Sequence, residues 1–581
     1  MANFKTPGVY IQEISTLPAS VAPVATAIPG FVGYTNQQAV VDGVTLDNNT
    51  PVRIESLLEF EQIFGGPFSE LFTVTIDDPA TGETNPQIQV TTPSGLSPYN
   101  LNYHLTMFFE NGGGPCYVIS VGNYVSPGPT TADISESDLS DGLDACEEID
   151  EITLLVVPEA MHLDANGRQN INDSMLTQCN KLQDRFAIMD AFTNPAETVV
   201  DDGDNFRDDV GSDYLKYGCV YYPSLKTTIQ YDFEDANVTI VDNRGGALAG
   251  FYNGSNLGNV IDDSATATTA QATIVVEVDG DAPNHVVVLD GVSFTINETG
   301  TRTEKATDLD AQITAALGNT LDNIITSGAS GRTVTLTSTT PGVFGNSISL
   351  IYNPEGTEIL IVTGFAGGND TTDRLLYSLI KNKLKEFKLI LYPSATMAGV
   401  FARVDRNRGV WKAPANVSLK LVEEPSRLVT DEQQGSLNVD ADSGKSINVI
   451  RKFAKKGIIV WGARTLAGND NEWRYVPVRR LFIFMEESIE KATEPSVFEP
   501  NDAQTWTKLK VMIENFLSKL WREGALAGAK PEDAFFVNVG LGKTMTALDI
   551  LEGRLIIEVG VAAVRPAEFI ILKFMHKLQE S

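Results

Sequence analysis

The chain is poor in the residues that build metal and redox sites. Its 581 residues include four cysteines and four histidines. Cys116, Cys146, Cys179 and Cys219 form no CxxC pair, and each lies in an apolar or helical context. That pattern fits buried, reduced thiols of a cytosolic chain. His104, His162, His285 and His576 stand far apart, with no HExxH and no Cys/His cluster. Neither a structural nor a catalytic metal is expected, and no cofactor. No apolar run approaches the ~18 residues of a membrane span. The opening MANFKTPGVYIQEI has no charged leader followed by an apolar core, so no secretory signal and no membrane insertion are expected.

Nucleotide and hydrolase motifs also fall short. FFVNVGLGKT (Phe535–Thr544) ends like a phosphate-binding loop, but Val537 stands where the first glycine is required. Only 37 residues follow Thr544, too few for the rest of a nucleotide-binding sheet. Gly444-Lys445-Ser446 fails in the same way, with Val439 in the glycine position. In Ser327-Gly328-Ala329-Ser330-Gly331-Arg332, arginine replaces the closing glycine of a nucleophile elbow. The acidic run Asp201–Asp209 lacks EF-hand spacing and reads as a solvated acidic loop. No enzymatic activity is expected.

What is present is charge, unevenly placed. The net charge is −33. Residues 451–581 hold 19 Lys+Arg against 17 Asp+Glu, leaving 24 against 59 in the first 450. The acidic part repels phosphates, so nucleic acid is not an expected partner.

The order of elements predicts a multidomain α/β protein. A mixed-sheet α/β core carries an inserted mostly-β module and an α+β C-terminal domain with extended arms at both ends. Residues 1–30 read as an extended arm, because Pro7, Pro18, Pro23 and Pro29 punctuate it. Within it GVYIQEI (Gly8–Ile14) alternates like a strand, which needs an existing sheet edge to pair with. Residues 31–225 form the first part of the core: helix Leu101–Phe109, strands Cys116–Val121 and Ile152–Pro158, helix Asn172–Leu182, strand Arg185–Asp190. Residues 226–369 form the insert, rich in Thr and Val, with one helix near Asp308–Leu317. Residues 370–460 resume the core with helix Thr372–Lys385 and strand Phe387–Pro393. Residues 461–566 form the C-terminal domain, opened by strand Arg480–Met485. Its long helix, about Asp502–Glu523, has an Asn501/Gln504 capping box and Gly524 as its stop. Strands Ala534–Val539, Arg554–Val561 and Glu568–Met575 follow, the last apolar on both faces and belonging to the 567–581 arm.

Several of these segments together resemble the contractile tail sheath family of phage tails, pyocins and contractile injection systems. TPGVYIQEI and AIPGFVGYT resemble its opening, and FFENGGGPCYVISV its early α/β segment. LYPSATMAGVFARVDRNRGVWKAPANVSL and VWGARTL are similar to its central core. RRLFIFMEESI, FEPNDAQTWTKLK, LWREGALAG, AFFVNVG and RPAEFIIL are similar to its C-terminal domain. The resemblance covers roughly residues 1–225 and 370–581 and leaves out 226–369.

The resemblance implies a structural subunit that polymerises as stacked hexameric rings around an inner tube. It also implies contraction that drives the tube through a target envelope. The implied partners are further copies of the chain, the inner tube protein, and baseplate and terminal cap proteins. The implied location is a phage tail or tail-like particle assembled in the cytoplasm of the producing bacterium, with release from the cell left open. Arms of neighbouring copies would add strands to the C-terminal sheet. That role falls on Val9, Tyr10, Ile11, Glu13 and Ile14, and on Phe569, Ile570, Ile571, Leu572 and Phe574. A near-neutral C-terminal domain facing the tube makes Lys508, Lys510, Lys519 and Arg522 candidate tube contacts. The insert would decorate the exterior; its composition also suits an adhesive or surface-layer protein. A degenerate α/β hydrolase or NTPase is the enzymatic alternative.

Overall fold

A computed structural model describes residues 21–572, apart from 82–84, 94, 126–127, 246–251, 262–268, 278, 280–284, 297–298, 317–323, 342–347, 354–359 and 367–373. The described residues form two units: those within 1–68, 95–230 and 388–581 in one, and those within 69–94 and 231–387 in the other.

The first unit is built on an eight-stranded sheet. Its order is Gly457–Val460, Asn448–Phe453, Gly218–Tyr222, Phe186–Asp190, Leu154–Val156, Pro29–Thr35, Cys116–Asn123, Pro51–Ile54. The inner six strands are parallel, and each edge strand is antiparallel to its neighbour. Parallel strands are covered on both faces, so they read as unbroken apolar runs. Every residue of Pro29–Thr35, Phe186–Asp190 and Gly218–Tyr222 is buried. The chain runs from Pro29–Thr35 to Cys116–Asn123 on one side, then returns to Leu154–Val156 on the other. The topological switch point therefore lies between Pro29–Thr35 and Leu154–Val156.

Helices Leu101–Glu110 and Ser394–Arg408 pack against each other. Their approach depends on Gly399, where an added Cβ would lie 2.3 Å from the Phe108 carbonyl oxygen. The obstacle is backbone, so it cannot rotate away. Gly399→Ala is expected to destabilise the protein by about 1–3 kcal/mol, overriding the better helix propensity of alanine. Chemical denaturation of the purified chain would measure it.

The C-terminal part of this unit pairs helix Val476–Thr493 with helix Ala503–Arg522 and a hairpin, Phe535–Val539 with Ile557–Val561. Leu509, Ile513, Phe516 and Leu520 of the long helix are buried at the spacing the sequence predicts. Two expectations are corrected here. Arg480–Met485 is not a strand; it lies inside the Val476–Thr493 helix, with Pro477 in the first turn and Leu481, Phe484, Met485 and Ser488 on its buried side. The five apolar residues Leu481–Met485 are too few to reveal a period, and only the turns flanking them decide for a helix. The long helix is capped by Asp502, which accepts from the N–H groups of Gln504 and Thr505, and not by Asn501. Asn501 instead accepts from the Trp506 indole at 2.6 Å and donates to the Arg554 carbonyl at 3.0 Å. Glu568–Leu572 pairs with no described strand of the chain, and the remainder of Glu568–Met575 lies outside the described residues.

The second unit holds two cores. Phe72–Asp77 pairs in parallel with Val238–Asp242 and antiparallel with Gln87–Thr91, covered by helix Arg374–Leu384. Residues 69–94 thus lie in this unit and not with the rest of 31–225. The other core joins a four-stranded antiparallel sheet, a three-stranded sheet and helix Arg302–Ala316. Strands Ile324–Ser330 and Leu360–Ala366 are the two edges of the four-stranded sheet.

Candidate functional site

The motifs that suggested chemistry resolve into structural parts. Gly540 and Gly542 adopt φ of 141° and 76°, forming a turn at the end of strand Phe535–Val539. The N–H groups of Lys543, Thr544 and Met545 all donate to the Gly540 carbonyl, at 3.1, 3.1 and 3.2 Å. A phosphate cradle needs those N–H groups directed outward, so this turn is spoken for by its own backbone. The helix that follows, Ala547–Leu551, has five residues. Lys445 of the second GKS donates to the carbonyls of Arg207 and Val210, both at 2.5 Å, closing the C-terminal end of helix Val199–Asp208. Burial pulls its pKa down. Ser330 lies in a hairpin strand, not at a strand-to-helix elbow, and Arg332 pairs with Glu277 at 2.8 Å.

The acidic run Asp201–Asp209 is not a solvated loop. Thr198 and Asp201 make a capping box, and helix Val199–Asp208 follows. Asp202 is buried, accepting from the Tyr222 hydroxyl at 2.7 Å, and Asp209 pairs with Arg168 at 2.7 Å. Helix amphipathicity puts these two carboxylates inward, which a count of charges does not reveal.

The crevice at the switch point, where open α/β sheets take ligands, is occupied by a side chain of the chain itself. Glu159 is fully buried there and accepts from the N–H groups of Tyr34, Asn100 and Leu101 at 2.8, 2.9 and 3.1 Å. It fills the N-terminus of helix Leu101–Glu110. Burial pushes this carboxyl up to about 7, against the pull of the three N–H groups. Burial lowers the imidazoles of His104 and His162 to about 3 and about 4. Among the described residues, no group of three or more His, Cys, Asp or Glu could hold a metal ion. All four cysteines are buried and unpaired. No described helix is long and apolar enough to cross a membrane.

The surfaces with unmet potential lie at the C-terminal hairpin and the roots of the two arms. Phe535–Val539 and Ile557–Val561 pair only with each other among the described strands, so each has an open edge. Val537 turns inward onto the long helix, whereas Phe536 is 54% exposed. Phe569, Ile570, Ile571 and Leu572 are 71%, 80%, 80% and 72% exposed. Four large apolar residues in sequence do not stay in water without a partner surface to cover them. Phe574, and Val9, Tyr10, Ile11, Glu13 and Ile14 of the other arm, lie outside the described residues.

The arm roots, by contrast, are held. Val21 is buried with the C-terminal core, and the Val24 N–H donates to the Ser488 hydroxyl at 3.2 Å. Arg480 donates to the Thr26 carbonyl at 2.5 Å and grips Asp405 through two nitrogens, at 3.0 and 2.6 Å. At the other end Arg464 grips Glu568. Neither ion pair is among the sequence expectations. The signal for both was an arginine inside an apolar segment, VWGARTL and VPVRRLFIF, since buried arginine requires a partner.

On the long helix, Lys508, Lys519 and Arg522 are exposed along one side, together with Val511 and Asn515. None of the three cations has an ion-pair partner among the described residues. Lys510 points elsewhere and pairs with Glu514 at 3.5 Å.

Comparisons with known proteins agree on one family. The family model for the phage tail sheath C-terminal domain matches residues 468–576. The tail sheath protein of Vibrio phage KVP40 is 27% identical over 124 residues, 21% of this chain and 18% of that protein. The tail sheath protein of Burkholderia phage BcepMu is 30% identical over 142 residues, 24% of this chain and 29% of that protein. The matched region thus spans less than a third of either curated relative. Solved structures match over the whole length. The sheath of the PVC extracellular contractile injection system, in its contracted state, is 26% identical with a TM-score of 0.53, covering 100% of this chain and 99% of that one. The contracted helical sheath of the anti-feeding prophage is 27% identical with a TM-score of 0.53, covering 99% and 100%. A chain of the six-fold symmetrised anti-feeding prophage baseplate is 26% identical with a TM-score of 0.52, covering 99% and 100%.

Proposed function

The chain belongs to the contractile tail sheath family, and on that premise we propose that it polymerises into a helical sheath of stacked hexameric rings around an inner tube. Contraction of the sheath then drives the tube through a target envelope. The role is mechanical, and no catalytic residue is assigned to it. The subunit's partners are further copies of itself, the tube protein, and baseplate and terminal cap proteins. Its place is a phage tail or tail-like particle, assembled in the producing bacterium's cytoplasm.

The observation that carries this reading is an exposed, two-faced apolar segment, Phe569–Leu572, in a unit that also presents an open-edged hairpin. A subunit with a spare strand and a spare sheet edge polymerises when the strand of one copy pairs with the edge of the next. The same edge chemistry suits the Val9–Ile14 segment of the N-terminal arm. Main-chain hydrogen bonds give such links affinity while letting side-chain surfaces slide, which suits subunits that rotate during contraction. Lys508, Lys519 and Arg522 form the face proposed to meet the tube, with Lys510 less well placed because Glu514 already engages it.

Electron microscopy of the purified protein tests the proposal, which expects tubes or rings. Removing residues 1–20 should leave a folded monomer unable to polymerise. A truncated chain that still builds tubes like those of the full chain would refute linkage through the N-terminal arm.

A further inference from the structure

Glu568 is the last residue before the exposed Phe569–Leu572 run, and residues from three separate places hold its carboxylate. Arg464 donates from Nε to Oε1 at 3.0 Å and from Nη2 to Oε2 at 2.7 Å. Asn438 Nδ2 donates to Oε1 at 2.8 Å, and the Tyr475 hydroxyl to Oε2 at 3.1 Å. The Arg464 side chain is 5% exposed and that of Glu568 22%, so the pair sits at the domain's margin with its cation inside. Burial pushes the Glu568 carboxyl up, and hydrogen bonds from Arg464 and Asn438 more than reverse this, leaving it below its ordinary value.

Arg464 is itself held at both ends. Its guanidinium donates to the Asn438 carbonyl at 3.2 Å. Its backbone N–H donates to Asn448 Oδ1 at 2.7 Å, and its carbonyl accepts from Asn448 Nδ2 at 2.8 Å. Asn448 is fully buried in the central sheet and also donates to the Val220 carbonyl at 3.1 Å. Glu568, Arg464, Asn448 and Val220 thus form an unbroken chain of polar contacts from the arm's root to the inner strands.

Upstream of Glu568, the nearest backbone tie of the arm is the Val564 N–H to the Ala525 carbonyl, at 3.2 Å. Among the described contacts, the Glu568 carboxylate is the polar tie that holds residues 565–568 to the domain, beside the half-buried Pro566.

We propose that the Arg464–Glu568 pair is the anchor of the C-terminal arm. It sets the point and direction at which the arm leaves the domain, so movement between linked copies is taken up beyond Glu568. This rests on the reading that the arm links copies of the chain. An ordered root spares residues 565–568 from being ordered when the arm docks, and each backbone residue so fixed carries an entropic cost. Glu568 and Arg464 are positioning residues, since neither is asked to touch the neighbouring copy.

The test uses the full chain with a spin label on Ala567→Cys, which reacts selectively because the four native thiols are buried. In the unassembled protein the label should be ordered, and nanosecond motion should appear in Glu568→Ala and in Arg464→Met, with Glu568→Gln intermediate. The Glu568 variants alter a side chain at the domain margin and keep the fold testable if Arg464→Met does not fold. The critical concentration for polymer should rise at least about tenfold in Glu568→Ala, reflecting the extra residues to be ordered. Unchanged label motion and unchanged critical concentration in Glu568→Ala would overturn the anchor. A parent chain that forms no polymer at all would instead overturn the sheath reading, while the label still reports on the anchor.

Discussion

Removing residues 569–581 is expected to abolish polymerisation while leaving the unfolding of the single chain unchanged. Phe569–Leu572 pair with no described strand and are 71–80% exposed, so their loss takes nothing described from a core. In the assembled state the same residues carry large gains. Fully burying a large apolar side chain is worth about 1.5–3 kcal/mol, so four contribute on the order of 6–12 kcal/mol per link before the costs of association. Each main-chain hydrogen bond to the receiving edge adds about 1 kcal/mol net. Keeping even a third of that sum would change subunit affinity by more than about tenfold. Alternation puts Phe569 and Ile571 on one face of the added strand, and Ile570 and Leu572 on the other. Ile570→Lys and Ile571→Lys should therefore each block assembly, because a central strand is covered on both faces. Sedimentation and electron microscopy would read the outcome. Full-length tubes from the truncated chain would show that this arm is not the link.

Breaking the Arg480–Asp405 pair is expected to destabilise the first unit strongly. Both side chains are nearly buried, at 4% and 6% exposure. The guanidinium also lies 4.7 Å from the centre of the Phe401 ring and holds the Thr26 carbonyl at the root of the N-terminal arm. Asp405→Ala leaves that cation buried without its counter-charge, a loss of about 3–5 kcal/mol. Against a typical total of about 5–15 kcal/mol this is a large fraction. Replacing both partners, Asp405→Leu with Arg480→Met, should recover much of the loss, because the desolvation of the arginine goes with it. Denaturant unfolding of the two single variants and the double variant would give the coupling. A double variant as unstable as the sum of the singles would show that the pair is not coupled.

Much of the fold is legible in the residues because its signals are local and long. The unbroken apolar strands around Ile152–Pro158 and Arg185–Asp190 declare a covered parallel sheet. The heptad-like spacing of Leu509, Ile513, Phe516 and Leu520 declares a helix with one buried side. Short apolar runs are different. Arg480–Met485 reads equally well as strand or helix, and Pro477 with the buried side from Leu481 to Ser488 decides it. Asp202 and Asp209 look like solvated charge until Tyr222 and Arg168 are brought to them.

The candidate site divides along the same line. EFIILKFM carries its own message: a segment apolar on both faces requires a sheet on both sides, whatever the fold around it. That requirement belongs to the sequence alone, as do the failed glycine spacing at Val537 and the division of charge near residue 450. Tertiary structure alone decides that Glu568–Leu572 pairs with no described strand, and that Glu159 fills the switch-point crevice. It alone brings Arg464 and Asn438 to Glu568, across 104 and 130 residues of chain. The reason is physical. Periodicity and apolar runs are properties of neighbouring residues, so they survive in the one-dimensional record. The partner of a buried charge is set by which strands lie side by side, and that order exists only once the sheet has formed.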